Sequence, residues 1–423
     1  MSIAAGLIDT VMVSGCGEAA VSGISLSNSI IAIFCLIFPM FISGGITVMS
    51  QYIGRRDFQN AKKSAYHIFF CSVGISAVVA AVIIGFIPEM LNLVYGELDA
   101  ELFENARKYF FFRALWLPFV SGASSTAAIL RTQNKSGQAS FLYIFSSIIN
   151  VLGNAFLIYG LKLGVAGAAI ATGFSFFAWM VLGIIFLKNK KLEICLDSFL
   201  KFRPDFDIIK RILRIGFPGA VEGVLMQSGG LLFSRIMAGF GTVAVAAYST
   251  ANSVANVGWT VLYSFTMALT YIVGQCMGAG ETHQAKYYTK KLANFSYLIA
   301  IVMFGIIFIL RTPLAGMFDF GEDTKKLCAD MIAAAAMATV FSVHPWAYEP
   351  LSSFRASGDV RYPVVIGVTA MFVFQVGLTY LLGVKLGFGP MSVWIGLWAA
   401  MAFRTVCNVI RFKSGVWLTK KVI

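Results

Sequence analysis

The sequence predicts an all-α polytopic membrane protein built from two copies of one helical unit. Hydrophobic residues make up 58% of the 423 residues and charged residues only 13%, and the mean hydropathy is +0.79. Water-soluble domains carry about 25% charged residues, so this chain is too apolar to be one. The stretch from Gly15 to Ser29, GCGEAAVSGISLSNS, returns 224 positions later as GFGTVAVAAYSTANS, with seven of the fifteen residues identical.

The same offset of 224 relates polar and glycine positions through most of each half. The pairs are Gln51 with Gln275, Gly54 with Gly278, Ala61 with Ala285, Lys62 with Lys286, Arg131 with Arg355 and Gly153 with Gly377. Chance similarity between apolar segments explains matches of Ala and Val, but not a constant register of Gln, Lys and Arg. We therefore infer a tandem duplication.

Twelve apolar runs follow one another along the chain. Most are about 20 to 30 residues long, enough for a helix to cross a hydrocarbon core of about 30 Å. We place them at 1–14, 20–50, 64–87, 106–130, 138–159, 164–187, 210–238, 243–275, 290–310, 328–354, 360–383 and 390–412. This gives one six-helix lobe over 1–197 and a second over 198–423, joined by a polar cytoplasmic linker at about 188–210. An even number of spans returns each half to the same side, so the two lobes should be pseudo-symmetric about an axis along the membrane normal.

The first run is shorter than the others. In the repeat register the partner of Met1 is Leu225, so the first half lacks a counterpart of Arg214–Val224. The run contains Asp9 and has neither a basic n-region nor a cleavage site. We therefore expect it to be a shortened first helix of the fold and not a signal peptide.

Basic residues indicate the orientation of the chain. If the first helix starts in the cytoplasm, most of the 33 Lys and Arg residues fall in segments on that side, and we assign Arg355 and Arg404 to them. Because cytoplasmic loops carry an excess of Lys and Arg, we expect both termini to be cytoplasmic. The net charge of +13 then reflects topology and attraction to anionic lipid of the bilayer, and it implies no nucleic-acid partner.

Residues that would support metal or enzyme chemistry are not arranged for it. The seven cysteines fall singly in or beside apolar runs, and the three histidines form no ligand cluster with them. We find no nucleophile with a base and no phosphate-binding G-x-x-x-x-G-K-[ST] loop. We expect no enzyme activity, no metal site and no cofactor.

Three acidic residues lie inside apolar runs, namely Asp9, Glu222 and Glu349. An acid at the centre of a membrane helix costs about 2.5 to 3.5 kcal/mol, so such a group usually faces the bundle interior, a partner or a water-filled cavity. There it can bind and release a proton. The alternative is a structural acid at a helix end, which applies most to Glu349 because Pro345 and Pro350 flank it.

Other polar side chains accompany these acids in the spans. Glu222 follows Pro218 by four residues and precedes Gly223, so it lies where a helix is weak and can bend. Gln227, Asn150 and Asn154 are uncharged candidates for contact with a substrate or a cation. Hydrogen bonding between helices is the alternative for each of them.

Several motifs resemble the multidrug and toxic compound extrusion (MATE) transporters. They are LIDTVMVSGCGEAAVSGISL, SQYIGRRDFQNAKK, its twin GQCMGAGETHQAK, NAFLIYGLKLGVAGAAIAT and LSSFRASGDVRYP, which together span nearly the whole chain. The resemblance implies two six-helix lobes around a central cavity in the plasma (inner) membrane. It also implies that a monomer exports amphipathic, often cationic, drugs or metabolites in exchange for protons or sodium ions, with no other cofactor.

The resemblance also implies roles for individual residues. Asp9, in the pair Asp9-Thr10, matches the principal cation-coupling aspartate of the family, and Asn154 matches a polar residue of the fifth helix near it. Glu222 matches an acid that follows the proline of the seventh helix, and Glu349 a tenth-helix acid of some branches.

Two other functions remain open on the sequence. A lipid-linked oligosaccharide flippase shares a related fold and predicts a more cationic cavity. A membrane scaffold without transport would not need acids in its spans. We expect an acidic excess inside the bundle, which favours a cationic small molecule.

Overall fold

The chain folds into α-helices throughout the part that the structure describes. The computed structural model describes residues 26–27, 30–31, 34, 38–96, 99–197, 202–318, 320–420 and 422–423. Helices α1 to α8 are Pro39–Gly54, Phe58–Gly85, Ile87–Tyr95, Ala100–Leu115, Leu117–Thr132, Ser136–Asn154, Gly164–Leu187 and Phe206–Ala238. Helices α9 to α15 are Thr242–Gly278, Thr282–Ile309, Arg311–Gly316, Glu322–Phe341, His344–Ser357, Arg361–Thr369 and Ser392–Ser414. These residues contain no β-strand, so the prediction of an all-α fold is confirmed for them.

Seven helices of the described residues are long and apolar enough to cross a bilayer. They are Phe58–Gly85, Ser136–Gly160, Ala166–Leu187, Thr242–Gly278, Thr282–Ile309, Arg361–Lys385 and Gly389–Ser414. An eighth span results if α12 and α13, which meet at a bend of 54°, are counted together. The expected run 1–14 lies outside the described residues, and the run 20–50 is only partly described. The run expected at 106–130 is divided at Trp116 into α4 and α5, and the twelve-helix count stays a prediction.

The repeat register of 224 is visible in the helix boundaries. Helices α2 and α10 are both 28 residues long, and their first and last residues lie 224 positions apart. Helices α1 and α9 end at Gly54 and Gly278, which have the same separation. π-Helical turns follow α6 at Ala155–Gly160 and occur at Tyr380–Lys385 beyond α14, close to the same register. The duplicated sequence therefore forms duplicated helices.

The described residues form two compact units. The first contains α1 as far as Met49, α2 to α7 and α8 as far as Ala220, and the second contains Ser50–Arg56, α8 from Val221 and α9 to α15. Each unit has its own apolar core. Buried Ile83, Phe110 and Leu117 belong to a core of the first unit, and Phe304 and Trp394 to one of the second.

The polar linker expected at about 188–210 is folded against α2 where the structure describes it. Lys62 Nζ lies 2.7 Å from Asp197 Oδ1, and this hydrogen bond lowers the pKa of Asp197 below its ordinary value. Asp205 donates its backbone N–H to His67 Nε2 at 2.8 Å, and the rings of Phe202 and Phe70 stack at 4.4 Å. His67 can accept this bond only at an unprotonated nitrogen.

Candidate functional site

A cavity of about 570 Å³ lies among the helices of the second unit. We call it the second-unit cavity. Residues of α8, α9, α13 and α15 line it, together with a segment that follows α14. Its charged side chains are Glu222, Glu349, Arg355 and Arg404, and His344, Asn256 and Gln375 also line it. The structure therefore brings together two of the acids that the sequence analysis selected.

A break between α12 and α13 positions one side of the cavity. Val343 adopts a left-handed backbone conformation with φ 53°, and Pro345 is the second residue of α13. Proline has no N–H to donate and is well tolerated in the first turn of a helix, so α13 begins here in a new direction. His344, Tyr348 and Arg355 follow at spacings of four and seven residues, which place them on one face of α13.

Glu222 and Arg355 form an ion pair across the cavity wall. Arg355 Nη2 donates to Glu222 Oε2 at 2.6 Å. A Cβ atom at Gly367 would lie 2.7 Å from Glu222 Oε1, so the absence of a side chain there gives the carboxylate its space. Helix α8 continues through Pro218 to Ala238. The pair neutralises both charges within the second-unit cavity.

Glu349 has a different environment from that of Glu222. It is only 1% exposed, and neither carboxylate oxygen has a partner in hydrogen-bonding geometry. An ionised carboxylate in such a place is costly unless it is paired. A cation bound to Glu349 would therefore lower the free energy of the buried carboxylate.

Arg355 and Arg404, which were expected in cytoplasmic segments, both line the cavity. Arg404 is 6% exposed and lies within α15. Its Nη2 donates to Gly367 O at 3.1 Å, and its guanidinium lies 4.9 Å from the centre of the Tyr348 ring. The cavity thus holds two arginines beside two glutamates, so the expected acidic excess is absent from it.

Gln227, Asn150 and Asn154 are not among the residues that line this cavity. Gln227 is exposed on α8 and does not line the cavity. In the first unit, Asn150 Nδ2 donates to Thr172 Oγ1 at 3.1 Å, the interhelical hydrogen bond that was its alternative role. Asn154, one turn later, is fully buried at the last position of α6. Asp9 lies outside the described residues.

The motif Arg355-Ala-Ser-Gly-Asp359 fixes the end of α13. Gly358 has φ 99° and ends the helix in the left-handed conformation that glycine adopts readily. Gln51 Nε2 donates to Ala356 O at 2.7 Å. Asp359 accepts from Nε and Nη2 of Arg411 at 2.9 and 2.7 Å. These contacts hold Arg355 in place beside Glu222.

Comparison with known proteins identifies the family. The profile of the family MatE matches residues 2–156 and 218–381. The chain belongs to the MATE family. The two matched segments have similar lengths and fall in the two halves, as the internal duplication predicts.

Individual relatives of this MATE chain are distant but cover it almost completely. "Uncharacterized transporter YisQ" of Bacillus subtilis is 26% identical, covering 98% of this chain and 91% of its own length. "Probable multidrug resistance protein NorM" of Thermotoga maritima is 22% identical over 99% of this chain and 90% of its own. A solved outward-facing multidrug resistance MATE family transporter of the MOP superfamily is 20% identical, with a TM-score of 0.87 over 99% of this chain and 93% of that one. The last comparison shows a shared fold.

Proposed function

We propose that this protein is a cation-coupled antiporter that exports amphipathic drugs or metabolites across the plasma membrane by alternating access. The observation that carries the proposal is the second-unit cavity. Four charged residues line it, and two of them, Glu349 and Arg404, are buried among helices that are long and apolar enough to cross a bilayer. Such intramembrane ionisable groups are expensive and are associated with substrate and ion pathways. A relative of similar length is named a multidrug resistance protein, which supports export of small molecules.

The coupling ion is a proton or a sodium ion that exchanges with the substrate. We assign the exchange to Asp9, assisted by Asn154, because Asp9 is an acid within an apolar run and matches the coupling aspartate of the family. The physical requirement is that the acid binds the cation with different affinities in the two states. Glu222, Glu349, Gln227 and Asn150 are the further candidates for contact with the substrate or a cation, and the transporter acts as a monomer.

The proposal is tested by drug accumulation in a susceptible host. Cells that express the protein should accumulate less of an exported dye than control cells. The proton and sodium gradients are collapsed separately, and collapse of the gradient of the coupling ion should abolish the difference. Asp9→Asn should abolish export at unchanged protein abundance. Glu322→Gln is a matched control, because the Glu322 side chain is 92% exposed and lies outside the second-unit cavity.

Export that persists after both gradients are collapsed, or in the Asp9→Asn variant, contradicts the proposal. The second candidate is a lipid-linked oligosaccharide flippase. The two arginines of the cavity favour it, because a flippase is expected to have a more cationic cavity. A flippase would leave dye accumulation unchanged and would move a lipid-linked sugar between leaflets of reconstituted vesicles.

A further inference from the structure

Two of the four charged residues that line the second-unit cavity form an ion pair with each other, and the other two form none with any residue that the structure describes. Glu222 and Arg355 are paired at 2.6 Å. Among the described residues, Arg404 takes part in no ion pair. If Glu349 is neutralised by a proton or another cation, the guanidinium of Arg404 remains as the one unbalanced charge in the described lining.

Arg404 is held in place by neutral groups. The carbonyl oxygen of Gly367 accepts from Nη2 at 3.1 Å, the Tyr348 ring lies under the guanidinium, and Met226 Sδ is 3.9 Å from Nη2. Nε is buried without a hydrogen-bond partner. A guanidinium has five N–H donors in one plane and matches a carboxylate at two of them. Arg404 is therefore oriented, buried and short of an acceptor.

Aromatic rings continue from this guanidinium along the same cavity. The rings of Tyr348 and His344 are 4.6 Å apart, and those of His344 and Trp259 are 6.1 Å apart with an angle of 7° between them. All three residues line the cavity together with Arg404. Rings of this kind favour a flat aromatic ligand, through contact with their faces and edges.

We propose that the second-unit cavity binds aromatic carboxylates, with the ligand carboxylate on Arg404 and its ring beside His344 and Trp259. The proposal rests on the proposed export function and names its substrate class, which differs from the cationic compounds expected from the sequence. A carboxylate on the guanidinium of Arg404 would balance its charge without disturbing the Glu222–Arg355 pair. No covalent step is involved.

The assignment has a consequence for coupling. A cation at Glu349 cancels the carboxylate charge that would repel an anion at Arg404, so the two ions favour each other's binding and do not compete. Exchange of a cation for this substrate then needs an acid outside the second-unit cavity, and Asp9 is the candidate. Glu349→Gln, which keeps the site neutral, should therefore leave binding of the anion intact.

The test compares two probes of the same shape and different charge. The purified full-length protein in phosphatidylcholine nanodiscs is equilibrated at pH 7 with radiolabelled 2-naphthoate or with neutral 2-naphthamide. Because a hydrogen bond to a charged group contributes about 1.5 to 3 kcal/mol, 2-naphthoate should bind at least about tenfold more tightly. Arg404→Gln should remove this preference, weakening 2-naphthoate by about tenfold or more while 2-naphthamide changes by less than about twofold.

Two further variants complete the design. Arg361→Gln removes an exposed arginine outside the cavity and should bind both probes as the parent protein does. Arg404→Lys keeps the charge but loses the planar pair of donors, so it should retain part of the preference.

Equal affinity of the parent protein for the two probes overturns the proposal, and this result does not depend on whether any variant folds. Equal loss of both probes in a folded Arg404→Gln variant also overturns it. Export that ignores both ion gradients, with 2-naphthoate binding still dependent on Arg404, would reject antiport and keep the anion site. Gradient-dependent export without a preference for 2-naphthoate would keep antiport and reject the anion site.

Discussion

Replacement of Gly54 or Gly278 by alanine should destabilise the second unit, because each glycine contacts the backbone of the other repeat. A Cβ atom at Gly54 would lie 1.9 Å from Gln275 O, and one at Gly278 would lie 1.9 Å from Gln51 O. The contacts are reciprocal, since Gly54 and Gly278 are equivalent in the duplication, and so are Gln51 and Gln275. Helix α9 and the end of α1 cross at these two points.

The expected magnitude follows from the overlap. Ordinary van der Waals contacts of a Cβ atom lie at 3.4–4 Å, so each alanine forces the helices apart. Overpacking of this kind costs about 1 to 3 kcal/mol, while alanine in place of a helical glycine otherwise gains about 0.5 to 1 kcal/mol. Since the opposing atoms are backbone carbonyls that cannot rotate away, we expect a net loss of about 2 kcal/mol for each substitution.

The measurement is thermal unfolding of the purified protein in mild detergent. Gly305→Ala is the matched control, because nothing lies within 4 Å of a Cβ atom at that helical position; its midpoint should stay unchanged or rise. The double variant Gly54→Ala/Gly278→Ala should lose less than the sum of the single losses, since one displacement relieves both contacts. Single variants as stable as the parent protein would refute the close crossing, and strict additivity would refute the shared displacement.

Two smaller predictions concern the contacts that hold the cavity and the linker. Asp359→Asn should lower the free energy of unfolding by about 2 kcal/mol because it weakens a charge-assisted contact with Arg411. The control Glu322→Gln should change the free energy of unfolding by less than about 0.5 kcal/mol, and equal denaturation midpoints of the two variants would contradict the prediction. His67→Ala should speed amide hydrogen exchange at Asp205, because the Asp205 N–H loses its acceptor, whereas the control His283→Ala at an exposed position should leave this exchange unchanged. Unchanged exchange in His67→Ala would show that His67 does not hold the linker.

The helical framework could be predicted from the sequence because membrane helices leave strong local signals. The run expected at 64–87 corresponds to α2 at Phe58–Gly85, and the repeat offset of 224 recurs in α2 and α10. The predicted start or end of a helix is wrong by several residues where polar residues flank the span, because the helix continues beyond the apolar run into the polar residues next to it. The count of spans could not be fixed in the same way, since α4 and α5 share one apolar run.

The composition of the cavity was predicted only in part. Glu222 and Glu349 were selected because an acid in an apolar run is costly, and the structure places both in the same cavity. Arg404 lies in the run expected at 390–412 and meets the same criterion. It was missed because arginines near span ends were counted as a topology signal, and sequence position does not show whether a long side chain extends to water or turns inward.

The two repeats keep their scaffold in common but differ in their chemistry. In the register of 224, Arg355 corresponds to Arg131, whereas Glu349 corresponds to Ser125, Arg404 to Met180, His344 to Val120 and Tyr348 to Ser124. In the opposite direction, Asn150 and Asn154 correspond to Phe374 and Leu378. A duplicated framework constrains the helix crossings, but it leaves inward-facing positions free to change. Because Glu349 and Arg404 have no charged counterpart in the first half, the proposed substrate site in the second half and the proposed coupling site in the first can be altered separately. A substitution at Arg404 should therefore change selectivity without changing the coupling ion.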